Sequence, residues 1–296
     1  CAFNPEPLAD FFDCAVIGDG EEVVVELCAT VRASKASGEN RAALLKRLAA
    51  IEGIYVPSHF MVSYQTDGRI EAITAKDPQQ PKVRRRVLAD LDSAPYPEQP
   101  IVPFLETIHD RVAIEVARGC TRGCRFCQAG YIYRPVRERQ PDTIRNLIDQ
   151  LLNHSGYDEV SLLSLSTGDY SAIETLMQNL MGCYADQSIA VSLPSLRVGS
   201  LTPELMNEIK KVRKTGFTLA PEAGSERLRQ VINKGINAED LVDSATTAFE
   251  LGWRIIKLYF MIGLPTETDE DLDALVELAA RVKKAGKGTQ GGADVN

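Results

Sequence analysis

From Arg111 onward, short runs dense in branched apolar residues alternate with longer stretches whose apolar positions recur every three or four residues. The short runs predict strands over Val112 to Ala117, Glu159 to Thr167, Ile189 to Val198, Gly216 to Ala220 and Arg254 to Ile262. The stretches between them predict helices with readable starts. These are Pro141 at a first helical position, Ser171 with Glu174 as a capping box, Thr202 before Pro203, Asn237, and Thr268 before three acidic residues. Strands alternating with helices predict a parallel sheet with right-handed crossovers. A sixth unit is expected to be cut off near Asp294-Val295-Asn296.

Upstream the pattern is thinner. Cys14 to Ile17 predicts a brief buried strand, Glu21 to Val31 a helix that stops over Ser34 to Gly38, and Arg41 to Glu52 a second helix stopped by Gly53. Phe60 to Tyr64 and Arg69 to Ile73, joined across Thr66-Asp67-Gly68, predict a hairpin. Asp77 to Phe104 reads as a Pro-rich connector. Its charge run, Lys82-Val83-Arg84-Arg85-Arg86, is expected as a solvated face, with a phosphate contact as the other reading. The expected organisation is an α/β remnant over 1–53, a hairpin and linker over 54–110, and the strand-helix domain over 111–296.

Period-two alternation also assigns faces. On the fifth strand Lys257, Tyr259 and Met261 share one face, and Ile256, Leu258, Phe260 and Ile262 the other, which should meet the helices. Glu115, Ser164, Ser166, Ser195, Arg197, Thr218 and Glu222 fall with Lys257. So polar an interior predicts a wet cavity. A lysine is rarely buried unless paired, so Lys257 should face a carboxylate, Glu115 or a bound ligand.

Composition removes some function classes. A chain of 296 residues can bury a large core and one smaller piece. No apolar run approaches the roughly 18 residues of a membrane span, and no charged start precedes a short apolar stretch, so the expectation is a cytoplasmic protein with no membrane partner. The net charge of −8 argues against a generic nucleic-acid surface and leaves room for a local basic patch. The first residue is Cys and the last stretch is Gly-rich, so the chain reads as a piece truncated at both ends.

The seven cysteines are a tight trio, Cys120, Cys124 and Cys127, and four singles, Cys1, Cys14, Cys28 and Cys183. That is metal usage in a reducing compartment and not a disulfide framework. Three thiolates with no fourth Cys or His alongside leave one coordination position open, whereas a structural zinc site closes its own. A zinc knuckle with a distant fourth ligand, or three structural thiols, is the competing reading.

The stretch Cys120-x-x-x-Cys124-x-Phe126-Cys127 resembles the defining motif of the radical S-adenosylmethionine (SAM) enzymes. The resemblance implies that these three cysteines hold a [4Fe-4S] cluster, and that SAM chelates the fourth iron and is cleaved reductively to methionine and a 5′-deoxyadenosyl radical. It also implies that the strand-helix units form an open, partial (β/α)6 barrel with ligands at the C-terminal strand ends.

By the same resemblance Phe126 packs beside the adenine, with a core aromatic as its alternative. Gly168 and Asp169, in Ser166-Thr167-Gly168-Asp169, stand where the family holds the methionine amino group, though this segment departs from the family's Gly-Gly-Glu pattern and also fits a helix cap. Glu222, in Ala220-Pro221-Glu222-Ala223-Gly224-Ser225, matches the ribose-binding Glu, and Ile262 and Gly263 the turn that meets adenine. Arg197 either pairs with the SAM carboxylate or is an exposed strand-end arginine. Tyr133 to Arg139 resembles an Arg-rich segment of methylthiotransferases, and otherwise reads as a solvated loop.

Asn4 to Leu8 together with Ile17 to Glu22 resembles the end of the Rossmann-like cobalamin-binding domain that precedes one subgroup of the family. Cobalamin is thereby implied as a further cofactor, with its main ligands absent from these residues; none of His59, His109 or His154 fits the domain's Asp-x-His-x-x-Gly pattern. With cobalamin the expected outcome is methyl transfer to an unreactive carbon. Without it, the expected outcome is hydrogen abstraction, rearrangement or sulfur insertion. An electron donor such as flavodoxin or ferredoxin is the expected partner. A non-catalytic Fe-S or zinc barrel that binds a partner is the reading from another class.

Overall fold

A computed structural model of the chain describes residues 4–79, 82–105, 107–194, 196–200, 202–212, 217–286 and 294–295. Its contacts divide it into two units, Cys1–Pro95 and Tyr96–Asn296.

The first unit holds β1 (Ala15–Val16), α1 (Val23–Ala36), α2 (Arg41–Ala49), β2 (Ile54–Tyr55), β3 (Phe60–Tyr64) and β4 (Ile70–Ala75). Val23, Leu45, Leu48, Ile54 and Val56 close its small core. The Asn40 side chain caps α2 by accepting from the Ala43 N–H at 2.9 Å. The helix stops at Ala49, short of the expected Glu52, because the Ala50 and Ile51 N–H groups turn to the tighter Arg47 and Leu48 carbonyls. Period alone does not show that β1 and β2 pair antiparallel, Ala15 with Tyr55 and Val16 with Ile54. The hairpin forms as expected, with Val62 opposite Ile73.

The charge run is a solvated face only in part: Lys82 and Arg84 are exposed, whereas Arg85 and Arg86 turn inward. Gly18 and Arg86 form a parallel bridge, and a Cβ at Gly18 would stand 2.1 Å from the Arg86 carbonyl oxygen, so only glycine admits the approach. The Asp19 carboxylate accepts the Leu88 N–H at 2.8 Å and has Arg85 at 3.6 Å, and Arg86 donates to both Glu22 and Glu26 at 2.7 Å. Leu88 and Leu91, inside the expected connector, are buried.

The second unit holds β5 (Val112–Glu115), β6 (Ala117–Arg118), α3 (Ala129–Ile132), β7 (Arg137–Glu138), α4 (Pro141–Ser155), β8 (Glu159–Leu163), α5 (Ile173–Tyr184), β9 (Ala190–Ser192), α6 (Pro203–Ile209), β10 (Phe217–Glu222), α7 (Glu226–Val231), α8 (Ala238–Glu250), β11 (Ile255–Phe260), α9 (Asp269–Ala285) and β12 (Asp294–Val295). Two parallel ladders, β5-β8-β9 and β10-β11-β12, form the partial barrel, and β12, pairing with Ile255 and Ile256, is its sixth strand. Ile114, Leu162, Leu219 and Ile256 meet Ile148, Met177 and Phe249 of the helices in one core. No helix of the described residues is long and apolar enough to cross a membrane.

Within β11 alternation is as expected: Ile256 is fully buried, with Leu258 and Phe260 packed on the core. Ile262, expected with the helix-facing set, is 77% exposed because the strand ends at Phe260. Lys257 lies on the other face, in register with Thr218. Its expected partner is otherwise engaged. Glu115 accepts two hydrogen bonds from Arg118, at 2.9 and 2.8 Å, and among the described residues Lys257 pairs with no carboxylate. Ser164 and Ser166 do not extend the face of Glu115, because β8 ends at Leu163, opposite Glu115, and alternation ends with it. The Ser164 and Thr167 hydroxyls instead bond each other at 3.0 Å in the turn that follows. Ser195 lies outside the described residues.

Thr202 and Asn237 cap α6 and α8 as expected. Ser171 and Glu174 do not form a box. The Ser171 N–H donates to Glu138 at 3.0 Å, Glu174 accepts the Thr202 hydroxyl at 2.9 Å, and α5 begins after Ala172. The stretch 133–139 is a solvated loop only in its first half, where Tyr133 to Val136 are exposed. Arg137 and Arg139 are buried, and β7 pairs antiparallel with β6.

At α9 the buried Asp271 accepts the Thr268 N–H at 2.9 Å, and the Ser225 hydroxyl and Arg227 also donate to it. The Ser225 hydroxyl and Arg227 hold its carboxyl far below the ordinary carboxylate range. A depressed pKa gives stability that is present above the unfolded-state value near pH 4 and is lost as pH falls toward the folded one. The thermal midpoint is therefore expected to drop on acidification below about pH 4, and less steeply in Asp271→Asn. Equal slopes in melts followed by circular dichroism would count against this role.

Candidate metal centre and cofactor site

The cysteine loop leaves the barrel where β6 ends, near the C-terminal end of the first barrel strand β5. Its shape depends on Gly119, with φ of +96° and a Cβ position 2.6 Å from the Tyr133 carbonyl oxygen. No side chain fits there. Cys120, Cys124 and Cys127 are free, half-buried thiols. The Cys120 sulfur accepts the Arg122 N–H at 3.5 Å and the Cys127 sulfur the Gly130 N–H at 3.4 Å. Arg134 steadies the loop by donating to the Cys120 carbonyl at 3.2 Å.

These features fit an iron-sulfur cluster, whose sulfurs are tuned by N–H donors and partial burial. Among the described residues no three His, Cys, Asp or Glu side chains are gathered tightly enough to hold a single ion.

The turn after β8 reaches this loop. Asp169 accepts two hydrogen bonds from Arg122, one of them at 2.8 Å, and one from the Ser166 hydroxyl at 2.7 Å. Arg122 chiefly holds the Asp169 carboxyl below its ordinary range, and Asp169 in turn raises the Arg122 guanidinium. Gly168 is placed by packing, since a Cβ there would lie 2.2 Å from the Ser200 hydroxyl oxygen. Glu222 ends β10 with φ of +69°. Ile262 is exposed beyond β11, and Gly263, at φ of +83°, gives its N–H to Glu267 at 2.8 Å.

Arg197 is half-buried and not an exposed strand-end arginine, and it donates to the backbone carbonyls of Lys234 and Gly235, the latter at 2.9 Å. Those residues belong to a turn that sequence reasoning missed. Asn233, at φ of +54°, donates to the Gly123 carbonyl at 2.9 Å, and the Arg125 N–H donates to the Ile232 carbonyl at 2.9 Å, so the turn after α7 docks on the cysteine loop. Lys234 then reaches Glu222 at 2.9 Å and stands 5.9 Å from the centre of the Phe126 ring. Asn233-Lys234-Gly235 at a helix end signals a left-handed stop, but not what the stop would touch. Thus Cys120, Cys124, Cys127, Phe126, Asp169, Glu222 and Arg197 are joined through Arg122 and this turn, while Ile262 and Gly263 have no described bond into that network.

Comparison with known proteins decides the family. The profile of the Radical SAM superfamily matches residues 114–279, and that of Radical SAM proteins, N-terminal, matches residues 1–57. The chain belongs to the radical SAM superfamily. An uncharacterized Methanocaldococcus jannaschii protein is 32% identical over 280 residues, which is 94% of this chain and 53% of that protein. The radical SAM chain thus spans about half the length of this curated relative. The structure of the radical SAM methyltransferase TsrM from Kitasatospora setae, with cobalamin and a [4Fe-4S] cluster bound, matches 95% of this chain and 52% of its own at a TM-score of 0.62 and 14% identity. The cobalamin-dependent enzyme OxsB, with aqua-cobalamin and SAM bound, matches 99% of this chain and 39% of its own at a TM-score of 0.62 and 12% identity. At these identities the radical SAM likeness is one of fold.

Proposed function

We propose that this chain is the SAM-cleaving part of a radical SAM enzyme, with Cys120, Cys124 and Cys127 as the ligands of a [4Fe-4S] cluster. The observation that carries the reading is the loop itself: three half-buried free thiols near the end of the first barrel strand, two of them accepting backbone N–H groups. A bound cluster supplies one electron and one open iron position to SAM.

The other residues bind and orient. Asp169 has about one lone-pair site left after Arg122 and Ser166, enough to accept one N–H of the ammonium of a methionine moiety. Glu222 keeps an oxygen for ribose hydroxyls while Lys234 neutralises it, and Phe126 offers a ring beside that cation. Gly168, Ile262 and Gly263 contribute backbone, and Arg197 positions the turn that carries Lys234.

Methyl transfer is the finer reading of the outcome, supported by fold likeness to TsrM and OxsB, and a flavodoxin or ferredoxin is the donor we assign. The described residues supply no ligand set for cobalamin. His154 bonds the Gln150 carbonyl of its own helix, His109 stands against Arg111, and β1 and β2 make an antiparallel pair instead of the parallel sheet of a Rossmann-like domain. No step is assigned to it.

Anaerobic reconstitution should load about four irons per chain. Dithionite and SAM should then release 5′-deoxyadenosine and methionine in equal amounts. Zinc alone on the trio, with no 5′-deoxyadenosine, would establish the partner-binding alternative instead.

A further inference from the structure

The charge run that the catalytic reading leaves unused borders an open groove of about 1110 Å³ lying wholly within the first unit. Its walls come from α2, the β2–β3 connection, the end of β4 and the extended segment 82–84. Arg85 and Arg86 are spent on Asp19, Glu22 and Glu26, which pins the segment against the unit's core. Lys82 and Arg84, the alternate residues, line the groove and are exposed.

Lys46 joins them from the last turn of α2, and among the described residues none of these three cations has a hydrogen-bond or ion-pair partner. Lys76 also lines the groove but donates to the Ser58 carbonyl at 2.8 Å. Against four cations stand two lining carboxylates, Glu52 and Asp77. Phe60 is the aromatic of the wall, and Tyr55 stacks behind it with ring centres 4.6 Å apart. A surplus of unpaired cations beside a backed aromatic ring is the combination that holds phosphates and a base together.

We propose that this groove binds a nucleoside phosphate, with the phosphates on Lys46, Lys82 and Arg84 and the base against Phe60. The ligand is either a free nucleotide or a unit of a single strand. The groove's residues and the cysteine loop belong to different units, so loss of one reading leaves the other standing.

The full chain would be titrated at low salt with ATP, a labelled eight-nucleotide single-stranded RNA and inorganic pyrophosphate, by calorimetry or fluorescence anisotropy. ATP or the RNA should bind at least about tenfold more tightly than pyrophosphate, and binding should fall steeply with salt. Lys82→Ala and Arg84→Ala should each weaken it about tenfold, while Lys35→Ala, an exposed charge on α1 away from the groove, should not. Phe60→Leu should weaken ATP or RNA and leave pyrophosphate unchanged. Preference for RNA identifies a strand as the source, and preference for ATP a free nucleotide. No binding of any probe, equal affinity for pyrophosphate, or equal loss in Lys35→Ala would overturn the proposal. Melting curves of each variant establish that it is folded.

Discussion

Cys124→Ala is expected to abolish cluster loading, taking iron from about four per chain to background and removing the brown absorption. Three thiolates are the fewest bonds that fix a cubane with one iron left open, and between Asp110 and Asn153 the sequence offers no other Cys or His to replace one. The half-buried Cys120 and Cys127 would be left to hold the cluster by two bonds, and each of their sulfurs otherwise accepts a single backbone N–H. Fold should be retained, since Cys124 is not part of the barrel core. Cys14→Ala, Cys28→Ala and Cys183→Ala should keep full iron, because Cys28 and Cys183 are exposed on helices and Cys14 sits in the other unit. Full iron in Cys124→Ala, or its loss in a folded Cys183→Ala, would overturn the ligand assignment.

Lys234→Ala should weaken SAM binding about 10- to 100-fold while iron content stays unchanged. The Lys234 and Glu222 side chains are 12% and 15% exposed, so removing the ammonium leaves a carboxylate mostly out of water. Removing one partner of a fully buried pair costs about 3–5 kcal/mol, and residual exposure lowers that to about 2 kcal/mol here. At 1.4 kcal/mol per tenfold this lies within the stated range. Lys234→Arg should recover part of the affinity, since a guanidinium can still neutralise Glu222. Glu222→Gln combined with Lys234→Ala should cost less than the two single changes summed, because the second loss no longer strands a charge. Strict additivity, measured by equilibrium dialysis of SAM on the reconstituted protein, would show that the pair does not act as a unit.

The strand-helix alternation, the helix caps at Thr202 and Asn237, the hairpin and the cysteine spacing were all legible in the chain, because each is set by residues within a few positions of one another. The two faces of β11 were legible for the same reason: Ile256 and Lys257 go to opposite sides whatever surrounds them. What those side chains meet was not. Glu115 pairs with Arg118 and not Lys257, Ser171 bonds Glu138 and not its own helix, and Arg137 and Arg139 are buried through the β6–β7 pair and not solvated. Arg86 reaches Glu22 and Glu26 across some sixty positions, and Lys234 comes beside Phe126 only because Asn233 docks on Gly123, 110 positions earlier. Backbone geometry and periodicity act over one or two turns of chain, whereas the partner of a charge is settled by which carbonyls and carboxylates the finished packing leaves within about 3 Å. Local sequence therefore determined most of the elements and marked the cysteine loop as the candidate metal centre. Tertiary structure alone decided the wiring of Asp169, Arg197, Glu222 and Lys234 around it, because those contacts exist only once distant turns are held together by the core.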